Sequence, residues 1–180
     1  DPATGAAQVQ VHHERAVRAG TLLGADSVRV VGFPDQKMDT LPLLDITQAI
    51  EREIARVQPD TIFTQHGGDL NMDHVITFRA TMTATRPMLG GCVRRVYAYE
   101  VASSTEWAFQ QFEPRFQPAV FFDITATLET KIAAMQVYES EARQFPHPRS
   151  PEALSAIARR WGSVVGVQAA EAFQLVREIK

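Results

Sequence analysis

Residues 64–74 read Thr-Gln-His-Gly-Gly-Asp-Leu-Asn-Met-Asp-His, which sets two imidazoles, two carboxylates and a carboxamide against a glycine pair. Side chains of these types move protons, hold cations and grip polar ligands. Three chemistries compete for the string from Asp69 to His74. Asp-x-Asn-x-Asp is how a calcium loop begins, but such a loop needs Gly at its sixth place and Glu at its twelfth. Those places hold His74 and Ala80. A plainer reading makes Asp69 and Asp73 caps of a helix that starts near Asp73, with His74 in its first turn. The third is a transition-metal site, in which His74 offers a neutral imidazole nitrogen and a nearby carboxylate fixes its tautomer. By itself the segment supplies one strong ligand, whereas a zinc enzyme uses three.

The string follows a short apolar run at residues 61–63, and open α/β sheets bind ligands outside the carboxyl ends of their strands. Helical periodicity is expected over 7–23, closed by Gly24, and over 43–57, broken by Pro59. Further helices are expected from Asp73 to about Ala84, over 127–143, from Pro151 to about Trp161 behind Ser150, and over 166–178. Strands are expected at 27–33, 61–65, 93–101 and 119–124. Asp1 to Gly5 reads as a polar loop. Alternating strands and helices argue for α/β with a largely parallel sheet. With no repeat, low-complexity tract or linker, one domain over 1–180 is the expectation. Tyr97, Tyr99, Phe121 and Phe122 read as core, and Trp107 as either core or a platform for a sugar ring.

The bulk numbers narrow the class. A 180-residue chain with 45% hydrophobic and 22% charged residues is an ordinary globular protein. A net charge of −3 without a basic stripe argues against nucleic acid as a partner. The single Cys92 cannot form an internal disulfide, which points to a reducing, cytoplasmic compartment. No apolar run reaches the roughly 18–20 residues of a membrane helix, and no charged-then-apolar leader opens the chain.

Residues 59–74 resemble the second signature of the PIG-L/LmbE-like zinc-dependent de-N-acetylases. The resemblance extends upstream to residues 14–24 and 31–35, and downstream to 99–107, 145–150 and 166–173. It implies a Rossmann-like three-layer α/β sandwich and Zn2+ as cofactor. The implied reaction removes acetyl from an N-acetylated amino sugar or related glycoside. On this resemblance His74 is the zinc ligand and Asp73 the adjacent carboxylate that orients the machinery.

Asn71 stands where many members carry a His that assists the oxyanion or leaving group. A carboxamide donates hydrogen bonds but does not titrate near neutral pH. His147, between two prolines, is therefore the candidate proton donor, reaching a neighbouring subunit's site. His66 and Asp69 are candidates for sugar hydroxyls, and Arg149 for a phosphate or nucleotide on the substrate. The family's first signature, Ala-His-Pro-Asp-Asp-Glu, brings two zinc ligands and the base and has no counterpart in this sequence. The chain is accordingly expected to lack its first strand–helix unit; His12-His13-Glu14 is the other dense cluster. The resemblance also implies a homo-oligomer, a trimer or hexamer. The alternative is a catalytically degenerate sugar-binding or oligomer-forming module, which zinc content would separate from the enzyme.

Overall fold

A computed structural model describes residues 2–180, with side chains from Gln10 onward. Contacts divide the chain into two compact units, one of residues up to 32 with 122–171, the other of 33–121 with 172–180.

In the first unit, helix α1 (Pro2–Leu23) packs on α4 (Leu128–Gln136), and α4 on α5 (Pro151–Val165). Ala19 meets Ala134 and Val137, while Leu128 and Ile132 bury against Ala158 and Ala169. α1 ends as its sequence demands. Gly24 takes φ 73°, and the Ala25 N–H bonds back to the Gly20 carbonyl at 2.9 Å, a left-handed C-terminal cap. α5 begins equally legibly, because the Ser150 hydroxyl accepts the Ala153 N–H at 3.1 Å and Pro151 follows.

The second unit carries a 3₁₀ turn (Met38–Thr40), α2 (Leu43–Val57), β1 (Thr61–Gln65), α3 (Met72–Ala84), β2 (Arg95–Tyr99) and a second 3₁₀ turn (Glu106–Ala108). With β3 (Val120–Asp123) and β4 (Ala170–Glu178), the strands make a sheet of order β1-β2-β4-β3. β1 runs parallel to β2, in register from Thr61 beside Arg95 to Gln65 beside Tyr99. β2 is antiparallel to β4, with an irregularity between Val96 and Tyr97. α3 covers β1 and packs on α2. Phe63, Tyr97 and Phe173 form an aromatic cluster, with Phe63 stacked on Tyr97 at 5.3 Å and edge-on to Phe173 at 5.1 Å.

The architecture is α/β, but the sheet is mixed where a mainly parallel one was expected. The difference comes from residues 166–178, read as a helix and found as β4 after Gly166 stops α5 at φ 79°. Ala, Glu, Gln and Leu favour a helix there, yet ladder pairing with β2 overrides a propensity of a few tenths of a kcal/mol per residue. Residues 27–33 form no strand; Val30 and Val31 are exposed, and Val28 lies over Gly20. A β-rich composition makes a strand only beside a partner. The helix expected over 127–143 ends at Gln136, and beyond it Ser140 and Glu141 are engaged by Arg15 and Arg149. Pro2 to Gly5 are helical rather than loop, and Asp1 lies outside the described residues. Phe122 is exposed, not core. Among the described residues no helix is long and apolar enough to cross a membrane.

Candidate functional site

β1 delivers its carboxyl end to the glycine pair, and α3 begins a few residues later. The Asn71 side chain caps α3, its Oδ1 accepting the Asp73 N–H at 2.9 Å. That leaves the amide Nδ2 of Asn71 as its remaining donor. His74 follows in the first turn.

Asp69 is the centre of this corner. Its side chain is buried and accepts three hydrogen bonds. Oδ1 accepts the Asn71 N–H at 2.9 Å and the Ser104 hydroxyl. Oδ2 accepts the Thr105 hydroxyl at 2.7 Å and faces His74 Nδ1 at 3.3 Å. The His74 contact lies off the line of a hydrogen bond, and Nδ1 is buried with no other polar partner. Burial alone would push the Asp69 carboxyl up, but His74, Ser104, Thr105 and the Asn71 amide together hold it below the usual carboxylate range.

Asp73 is turned elsewhere. Its carboxylate accepts the Gln36 N–H at 2.6 Å and the Met38 N–H at 3.0 Å, pinning the loop before α2. The carboxylate beside His74 in space is thus Asp69, while Asp73 is its neighbour only in sequence. His66 is 1% exposed; its Nε2–H donates to the Pro114 carbonyl at 2.8 Å and its ring stands edge-on to Phe116. Desolvation lowers its pKa against the opposing pull of Pro114 and Asp69.

The glycines also have a local use. A Cβ on Gly68 would sit 2.0 Å from the Pro114 carbonyl, and one on Gly67 would sit 2.6 Å from the Phe78 ring. The close approach they permit is by the chain itself.

His147 and Arg149 belong to the first unit. His147 Nδ1 accepts the Arg149 N–H at 3.1 Å inside the turn that leads to Ser150, and the Arg149 guanidinium pairs with Glu141. The structure therefore brings together Asp69, Asn71 and His74, with His66 behind them. Ser104, Thr105 and Pro114 escaped the sequence reading, since nothing in their local pattern says which carboxylate or imidazole they will meet. Zinc needs more than this corner supplies: among the described residues no three His, Cys, Asp or Glu side chains converge as a metal site. His12 and His13 are exposed on α1.

Residues 3–85 match the PIG-L family, described as GlcNAc-PI de-N-acetylase. No curated protein sequence matches the chain. Among solved structures it is similar to the conserved protein TT1542 from Thermus thermophilus, with 24% identity and a TM-score of 0.72, over 95% of this chain and 75% of that one. It is similar also to N,N'-diacetylchitobiose deacetylase from Pyrococcus horikoshii, with 17% identity and a TM-score of 0.71, over 93% of this chain and 64% of that one. A third is GalB, the 4-carboxy-2-hydroxymuconate hydratase from Pseudomonas putida, with 23% identity and a TM-score of 0.68, over 95% of this chain and 73% of that one. At these identities the structures speak for the fold alone. The chain is thus similar to the PIG-L family over residues 3–85, a little under half of its length.

Proposed function

We propose that this chain belongs to a hydrolase that removes the acetyl group from an N-acetylated amino sugar or related glycoside. The observation that carries the reading is the family match across residues 3–85, which ends just past the corner where a buried carboxylate backs an imidazole at a strand end. The similar fold of a hydratase shows that the scaffold alone does not choose a reaction.

Within the proposed reaction, His74 is the group that accepts a proton or a cation, backed by Asp69. The Asn71 amide supplies the hydrogen bond to an oxygen as negative charge develops on it. His66, spent on Pro114, shapes the floor of the corner. Zinc, the cofactor expected from the resemblance, finds only His74 here, so the ion would need donors beyond this group and no step is assigned to it. The same observation favours a second reading, a degenerate module that binds a sugar without cleaving it. The substrate is a small N-acetyl amino-sugar compound, and the assembly is a homo-oligomer in the cytoplasm.

Acetate release from N-acetylglucosamine and its glycosides tests the proposal. Release that is lost in His74→Ala supports hydrolysis. Saturable binding of the same sugars without acetate release would favour the degenerate module.

A further inference from the structure

We propose that Asp69 is the positioning residue of this corner, holding His74 in the Nδ1–H tautomer and leaving Nε2 with its lone pair to accept a proton or a cation. The inference rests on the reading of His74 as the working imidazole. Three observations carry it, all from the second unit. First, His74 Nδ1 is buried without a hydrogen bond among the described residues, and Asp69 Oδ2 lies 3.3 Å from it. A bare Nδ1 would set its lone pair beside a carboxylate oxygen, an arrangement with repulsion and no hydrogen bond; a protonated Nδ1 is attracted instead.

Second, the carboxylate cannot turn away. Thr105 Oγ1 already accepts the Val101 N–H at 2.8 Å, so its own hydrogen is directed to Asp69 Oδ2 at 2.7 Å. The Asn71 N–H and the Ser104 hydroxyl grip Oδ1. Third, the competing carboxylate is engaged elsewhere, since both oxygens of Asp73 accept backbone N–H groups from Gln36 and Met38. Sequence adjacency favours Asp73 for the orienting role, and the hydrogen bonds give it to Asp69. One side chain thereby joins the loop after β2 to the first turn of α3.

The tautomer can be read directly. Two-bond 1H–15N correlation spectra of the full chain labelled with 15N-histidine, taken about two pH units above the usual imidazole pKa of roughly 6.5, distinguish the forms, and His74→Gln assigns the signal. The wild type is expected to show the Nδ1–H form. Asp69→Asn is expected to mix or invert it and to lower kcat for acetate release about 10–100-fold with little change in KM. Asp73→Asn is expected to leave it alone. An Nε2–H wild type overturns the proposal, as does a folded Asp69→Asn protein with an unaltered tautomer. If Asp69→Asn does not fold, the wild-type spectrum decides by itself. An Nδ1–H wild type that releases no acetate keeps the positioning role and removes the deacetylase reading.

Discussion

His66 directly follows β1 and His74 lies in the first turn of α3, and the two meet different surroundings. His66 is sealed in, with its Nε2–H spent on a carbonyl. Its lowered pKa has a consequence for stability. On acidification the unfolded chain takes up this proton first, near about 6.5, while the folded chain resists. The stabilisation is therefore complete above about pH 6.5 and is lost as pH falls below it towards the folded-state value. Urea midpoints measured between about pH 8 and 5 should show this acid slope, and His66→Gln should flatten it even if the variant is weaker throughout. An equal slope in both proteins would sink the account.

The sequence announced both imidazoles but not this difference in surroundings. Ser104, Thr105 and Pro114 decide it, and they lie more than thirty residues away from the groups they engage. Likewise Asp69 and Asp73 are the same residue type four places apart, and only their donors distinguish them.

Elements were legible where their ends carried signals. α2 appears where periodicity places it and α5 where its cap does, because a cap satisfies backbone groups that the helix itself cannot; α3 starts near Asp73 as expected, but its cap is Asn71 rather than Asp69 or Asp73. Asn71→Ala should cost about 1 kcal/mol in chemical denaturation by removing the α3 cap, whereas Asn71→Ser should recover most of it. Gly68 is a sharper case: Gly68→Ala drives a methyl into the Pro114 carbonyl, a clash with backbone rather than with a yielding side chain. A loss of about 1–3 kcal/mol is expected, together with loss of the His66–Pro114 bond, read as a shifted His66 resonance. An unshifted resonance would show that the loop yields at no cost. β4 was illegible because its helix-forming letters mattered less than the strand available beside them. Residues 27–33 failed in the opposite sense, being β-rich without a neighbour in the ladder.

For the whole molecule, the α/β class follows from the chain, while the mixed sheet depends on a strand disguised as a helix. The donor set makes a further prediction. Elemental analysis of the 180-residue chain is expected to find well under one zinc per chain, since His74 stands without two companions among the described residues. A full equivalent that disappears in His74→Ala would show that other donors complete the site.

The hydrogen bonding of Asp69 also bears on how the folded chain tolerates hard ions. Three hydrogen bonds and the His74 imidazole surround its carboxylate, so calcium or magnesium could enter only by stripping hydrogen bonds from a group already out of water. A ligand that binds only the native state raises its melting temperature. The chain should therefore melt at the same temperature in calcium-containing and in chelator-treated buffer. Folding has made the aspartates that mimic a divalent-ion loop deaf to such ions.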